Sequence, residues 1–398
     1  MWTVACLTIL VHLVTSNTTV LQSNISSSMV KSTIEFCIDL LKVMEWQQNV
    51  IVSPVVLYNT LSILQQGAED RSQIELSNVL HSGPVQNKGG YGKVLRAIQV
   101  GNLPEMKLHM ASKMYLAKKY DIRPEFLDTV ELDFQANIEN VDFEKIASAA
   151  AAMNAWVNSS THGNIDSIVT GGQVTSNQEM VVLNAVYFSS KWDEPFSKWN
   201  TTMSAFNPSP GVLHKVPTMH ARRVLFGGYS PILEAKYCVI PFKNRTFYML
   251  LILPEEKHGL KNMINKLRLV HMRKIFEMRE TRPVKLSIPR FRLSVDGDVT
   301  PVLQQLGVHD IFSERANFGG ISKLSTLKVS QLIHKTTIDI NENGVTASAF
   351  PTVSLPVGIN IRASHPDVLE FKADHPFFFA IMHAHTSVPL FVGKLMDP

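Results

Sequence analysis

The sequence predicts an α+β fold in a single domain, from three observations. Strand-like segments occur in runs and helix-like segments in runs, with few strand–helix–strand alternations, which argues against a doubly wound parallel sheet. No composition shift or Pro/Gly/Ser-rich stretch separates the 398 residues into two units, although the length alone admits one large domain or two to three ordinary ones. Apolar residues make up 45% of the chain, enough for a sizeable core, and no internal repeat of 20–50 residues suggests a solenoid or propeller. The net charge of +4 is spread along the chain, and without a basic run it does not imply nucleic acid.

The first segment reads as a secretory signal peptide, residues 1–16. It holds no Lys, Arg, Asp or Glu, Ala5 to Val14 is mostly apolar, and Val14-Thr15-Ser16 offers a small-residue cleavage site. The apolar run is too short to span a membrane. Residues 17–29 are read as a flexible leader and 30–398 as the domain. Sequons at Asn17, Asn24, Asn158, Asn200 and Asn244 are glycosylation candidates, in keeping with export to an extracellular setting. Cys6 leaves with the signal, so Cys37 and Cys238 remain, as a disulfide or as two buried free thiols.

The elements follow in order. In "KSTIEFCIDLLKVMEWQQ", Ile34, Cys37, Ile38, Leu41 and Met44 share one helical face. "NVIVSP" is a short buried strand stopped by Pro54, and "VVLYNTLSILQQGA" a helix ended by Gly67. "GGYGK", Gly89 to Lys93, lacks the spacing and the Ser/Thr of a phosphate loop and reads as a flexible surface turn. The alanine run of "FEKIASAAAAMNAWVNSS" favours a helix. "EMVVLNAVYFSSKW" is a buried strand, "YCVIPF" and "FYMLLILP" form a hairpin around "KNRT", "VKLSIPRFRLSV" is a further strand, and the C-terminus gives two strands joined at "HTS".

Catalytic signatures are absent: no Gly-x-Ser-x-Gly, no His-Glu-x-x-His, no Cys-x-x-Cys. His383 and His385, two apart in an expected strand, read as ordinary strand histidines rather than metal ligands. His334 in "QLIHKTTIDIN" and Asn184 in "VVLNAVYF" are polar residues in strands that should be buried, and each needs hydrogen-bond partners.

Taken together, "NVIVSP", "WVNSSTHGNI", "LNAVYFSSKW", "VPTMH", "FYMLLILP", "KLSIPRFRL", "LQQLGVHDIFSERANFGGIS", "IHKTTIDINENG" and "FKADHPFFFAI…PLFVGKLMDP" resemble the serpins, in order and spacing, over roughly residues 30–398. The resemblance implies three β-sheets, eight or nine helices and an exposed reactive loop, about residues 342–369. It implies a metastable serine protease inhibitor that works as bait and performs no catalysis, and the N-terminal signal makes it a secreted one. A protease cleaves the loop and stays attached as an acyl-enzyme while the freed loop inserts as a new strand in the large sheet, releasing stored strain. Ser53, Asn184 and His334 match a polar cluster under the strands that part, with Val56 where a second serine is usual. Glu342, Gly344, Val345, Ala347, Ser348 and Ala349 match the hinge, with Asn343 where a second glutamate is more usual.

From Val345 to Ile361 no residue is charged, and Val345, Ala347, Ala349, Pro351, Val353, Leu355 and Val357 alternate with Thr346, Ser348, Phe350, Thr352, Ser354, Pro356 and Gly358, the pattern of a strand with one apolar face. Two residues oppose insertion. Phe350 is large, and Pro351 removes a backbone donor on the inward face, a cost of roughly 1–3 kcal/mol against about 10 kcal/mol from burying the odd-numbered face. Counting back from "FKADHPF" places the reactive bond at Arg362–Ala363; counting forward from Glu342 places it at Gly358–Ile359. Arg362 is the first choice, because a trypsin-like pocket takes a guanidinium and glycine offers nothing to anchor. The expected partner is therefore a trypsin-like serine protease met by a monomer, with no nucleic acid, membrane, metal or cofactor. Arg71, Lys88, Lys93 and Arg96 form no dense stripe for a heparin-like polyanion. The alternative is a non-inhibitory member acting as an extracellular carrier or binding protein, for which Pro351, Phe350 and the lengthened loop speak.

Overall fold

The computed structural model describes residues 27–45, 47–99, 106–271, 275, 281–324, 326–345 and 368–398. Helix α1 (Ser27–Val43) leads through β1 (Val50–Val52) to α2 (Pro54–Gly67), α3 (Asp70–Leu80) and α4 (Pro84–Gln99). Then come β2 (Met106–Ala117), α5 (Pro124–Asp128), β3 (Asn137–Val141), α6 (Ile146–Ser160) and β4 (Met180–Lys191). Strands β5 (Thr201–Phe206), β6 (His214–Ser230), β7 (Ala235–Pro241) and β8 (Phe247–Pro254) precede α7 (Leu260–Lys266). The chain closes with β9 (Thr281–Pro289), β10 (Phe291–Asp298), α8 (Thr300–Gln305), β11 (Val329–Asn341), β12 (Gly344–Val345), β13 (Leu369–Lys372), β14 (Phe377–His383) and β15 (Pro389–Leu395).

Two hydrogen-bonded arrays result. One has six strands, with β10 and β11 on one side of the short β12 and β4, β2 and β3 on the other. The other has nine strands, running β1-β15-β14-β8-β7-β6-β9-β13 with β5 beside β6. The second and third sheets implied by the family resemblance are thus continuous, because the 17-residue β6 pairs with β5 and β9 along one part and with β7 along another. Helix α2 lies between the arrays, against β15 on one side and β2 and β4 on the other, and nearly every residue of it is buried. Pro54 starts it without wasting a donor. At its end a Cβ on Gly67 would lie 2.2 Å from the Ile321 side chain, so glycine is needed for close packing.

Several expectations change. The first helix begins at Ser27, so residues 27–29 are not leader; Met29 is fully buried and packs over Gly90. "GGYGK" lies inside α4, not in a surface turn, because Tyr91 is fully buried and anchors the segment by donating to the Val55 carbonyl at 2.7 Å. "VKLSIPRFRLSV" is two strands in different sheets, β9 and β10, turning at Arg290. His385 lies beyond the end of β14, while His383 is buried in it and bonded to Thr386 Oγ1 at 2.8 Å. Cys37 and Cys238 are both free and buried, and burial pushes the Cys238 thiol up to about 12.

Candidate functional site

Strand β11 pairs in parallel with β4 from Val329 and Met180 up to Thr337 and Tyr187. Beyond that rung the two strands part, and β12 stands between them. Gly344 and Val345 pair with Asn341 and Ile340 of β11 and with Lys191 and Ser190 of β4. Glu342 and Asn343 make the tight turn that reverses the chain. The expected loop of 342–369 is therefore shorter at both ends: Gly344 and Val345 are buried sheet residues, not exposed bait, and Leu369 opens β13. Ala347, Ser348, Ala349, the Arg362–Ala363 bond and the Gly358–Ile359 bond lie outside the described residues.

Glycine is required where the chain enters the sheet. Gly344 has φ +149°, and a Cβ there would lie 2.1 Å from the Ser190 carbonyl oxygen, backbone that cannot yield as a side chain could. Ser189 Oγ donates to the Val345 carbonyl at 3.1 Å. Trp192 closes the top: its backbone N–H donates to the Asn343 carbonyl at 2.9 Å and its indole N–H to the Asn341 carbonyl at 2.9 Å. The indole stacks on Phe242 at 4.6 Å. Glu342 is nearly buried, at 5% exposed. Its carboxylate accepts from Thr201 Oγ1 at 2.8 Å and faces Arg290 at 3.6 Å, and its carbonyl accepts from the Phe196 N–H at 2.8 Å.

Lower down, where β11 and β4 still touch, His334 and Asn184 face each other as direct partners. Both are buried, as is Ser53. The Ser53 N–H donates to His334 Nε2 at 3.0 Å, and Ser53 Oγ donates to the Leu390 carbonyl at 2.7 Å. Accepting through Nε2 leaves the proton on Nδ1, and burial pushes the imidazole down to about 3, so it is neutral. Asn184 Oδ1 accepts from Thr60 Oγ1 at 2.7 Å, and that hydroxyl lies 3.4 Å from Ser112 Oγ. The three residues named from the sequence thus sit at one level but as two groups, Ser53 with His334 and Asn184 with Thr60 and Ser112. Val56, 2% exposed, adds no polar group.

Thr60, Ser112, Thr201 and Arg290 were not singled out in the sequence. Thr60 was within reach, since Ser53, Val56 and Thr60 share one face of α2 at helical spacing. The others join through tertiary contacts between distant segments. Of the sequons, Asn158 on α6 and Asn200 before β5 are exposed; Asn17 and Asn24 lie outside the described residues. Among the described residues, no group of three or more His, Cys, Asp and Glu could hold a metal ion.

The chain matches the family described as Serpin (serine protease inhibitor) over residues 31–398. It is 30% identical over 357 residues to the leukocyte elastase inhibitor of Bos taurus, across 88% of this chain and 93% of that protein. It superposes on the crystal structure of uncleaved ovalbumin with a TM-score of 0.80, at 26% identity, covering 93% of this chain and all of that one. Human thyroxine-binding globulin complexed with thyroxine gives a TM-score of 0.83 at 23% identity, covering 93% of this chain and 98% of that one, a likeness of fold alone.

Proposed function

The chain belongs to the serpin family, a family of protease inhibitors rather than enzymes, and from that membership we propose that it is a secreted suicide-substrate inhibitor of a trypsin-like serine protease. The protease's serine attacks the carbonyl of Arg362, the Arg362–Ala363 bond breaks, and the acyl-enzyme is carried along as the freed loop enters between β4 and β11. The observation that carries this reading is β12: the hinge residues Gly344 and Val345 are already hydrogen-bonded to both strands the loop must enter. The loop thus has a template from Gly344 onward, and the alternating uncharged sequence after Val345 suits the same channel. Arg362 is the only Lys or Arg between Gly344 and Lys372, which supports a trypsin-like target. Residues 1–16, free of Lys, Arg, Asp and Glu and mostly apolar from Ala5 to Val14, and the exposed Asn158 and Asn200 support export.

The test is to challenge the protein with trypsin and related proteases and to read products on denaturing gels and by mass spectrometry. The expected result is an adduct that survives SDS, a new N-terminus at Ala363, and loss of the adduct in Arg362→Ala. Clean cleavage without adduct across the panel would sink the inhibitory reading. It would favour a carrier or binding protein, the reading that Pro351 supports by opposing insertion. A new terminus at Ile359 would move the reactive bond to Gly358–Ile359.

A further inference from the structure

Helix α6 is a strap across the strands that must part. Its Ala149, Met153 and Val157 share a closed apolar cluster with Tyr115 of β2, Val181, Leu183 and Ala185 of β4, and Ile333 of β11. Just past the helix the chain turns back at His162, which holds a left-handed φ of +53°. Histidine tolerates that region better than most residues but still with strain. The ring of His162 stacks on His109 of β2 at 4.4 Å, and His109 stacks on Tyr187 of β4 at 6.0 Å. His109 and Tyr187 are direct cross-strand partners, and Tyr187 stands on the last rung at which β4 still pairs with β11, opposite Thr337. The three rings therefore pin the end of the strap at the level where the sheet opens.

We infer that the His162–His109–Tyr187 stack is an acid-sensitive latch, which holds the end of α6 on the six-stranded sheet while His109 is neutral and releases it when His109 is protonated. A charged imidazolium at His109 is half-buried between the His162 ring, 4.4 Å away, and Tyr187, where desolvation and its neighbours disfavour the charge. Lys107, on β2, adds positive charge near His109. On the same face Lys113 is committed to Glu139 at 2.6 Å, and Lys335 of β11 to Asp296 at 3.2 Å. Neither ring has a carboxylate partner among the described residues. Burial, His162 and Lys107 together hold His109 below the usual imidazole range in the closed state. The sign follows: a base whose closed-state pKa is depressed favours closure above about 6.5 and favours opening as pH falls below it.

That the released strap speeds loop entry rests on the insertion reading above; the latch itself does not, and its test uses the uncleaved protein. Hydrogen–deuterium exchange, corrected for the intrinsic pH dependence, is compared at about pH 7.5 and about pH 5.5. Amides of residues 157–165 should exchange about three- to tenfold faster in acid. His109→Phe keeps an aromatic ring against Tyr187 without the charge and should abolish the acid effect while leaving neutral protection intact. His162→Asn, which tolerates the left-handed turn, should give fast exchange at both pH values. Equal corrected exchange at the two pH values in the wild type, or a full acid effect in either variant, overturns the latch. If the acid effect is present but protease challenge yields no adduct, the latch stands and the inhibitory reading falls.

Discussion

Arg290 and Glu342 form an ion pair, Nε to Oε2 at 3.6 Å, that ties the corner between β9 and β10 to the turn beginning the loop. Glu342 is the more buried partner, and it also accepts from Thr201. Replacing Glu342 with Ala leaves the Thr201 hydroxyl without its acceptor and Arg290 without its partner. The expected loss is about 1–2 kcal/mol, since Arg290 is half-exposed and can be rehydrated. Thermal unfolding checks the magnitude, and faster amide exchange confined to residues 341–345 and 190–192 checks the location.

Gly344→Ala tests the entry point. The added methyl would meet the Ser190 carbonyl at 2.1 Å, and the conformation is strained for any L side chain, at about 1–3 kcal/mol before the clash is counted. The pairing of β12 with β4 should be lost, seen as loss of amide protection at Val345. If insertion begins there, the variant should be cleaved as a substrate with little or no SDS-stable adduct.

Pro351 has a definite destination if the loop continues in register. Extending β12 residue by residue down both neighbours brings Pro351 opposite His334 on β11 and opposite Asn184 on β4, at one rung. A residue without an N–H would then arrive at the level of the buried polar pair and leave a carbonyl unpaired. Pro351→Ala should restore a ladder hydrogen bond of about 1 kcal/mol and speed insertion about fivefold. The measurement is the rate at which loop cleavage raises the melting temperature. An unchanged rate would mean that the register slips or that insertion is not limited at this rung.

His334 should make global stability fall in acid. Its folded-state pKa, pushed down to about 3 by burial, lies below the value of about 6.5 in the unfolded chain. The stabilisation is therefore complete above about pH 6.5 and is lost as pH falls toward 3. His334→Gln, which can still accept from the Ser53 N–H but does not titrate, should flatten the dependence of the unfolding midpoint over that window. The His109–His162 latch acts on local exchange near α6, so the two acid effects separate by observable.

Local order and family pattern were legible in the chain. Periodicity marked α1, α2 and β11, because one face of each must be apolar to meet the core; the alanine run marked α6, and apolar runs rich in β-branched and aromatic residues marked β4, β8 and the C-terminal strands, which are buried on both faces. Legibility failed where a tertiary contact overrode local chemistry. The glycines of "GGYGK" argue for a turn, yet Tyr91 fills the core and holds the segment helical. The run from Val284 to Val295 reads as one strand, yet the corner at Arg290 sends its halves to different sheets. At the site, the sequence supplied Asn184 and His334 as polar residues among apolar neighbours, and the family resemblance added Ser53 and the hinge around Gly344.

By itself the sequence determined the family, the α+β class and the alternating loop, since these depend on residue order and side-chain period alone. Only the tertiary structure decided how much of the hinge is already sheet, which hydroxyls and which arginine hold it, and that a pair of histidines closes the strap over the strands. Those features join residues more than 50 positions apart, such as Arg290 with Glu342 and His109 with His162. No local preference encodes such pairs; they form only when burying one shared core brings the separate elements into register.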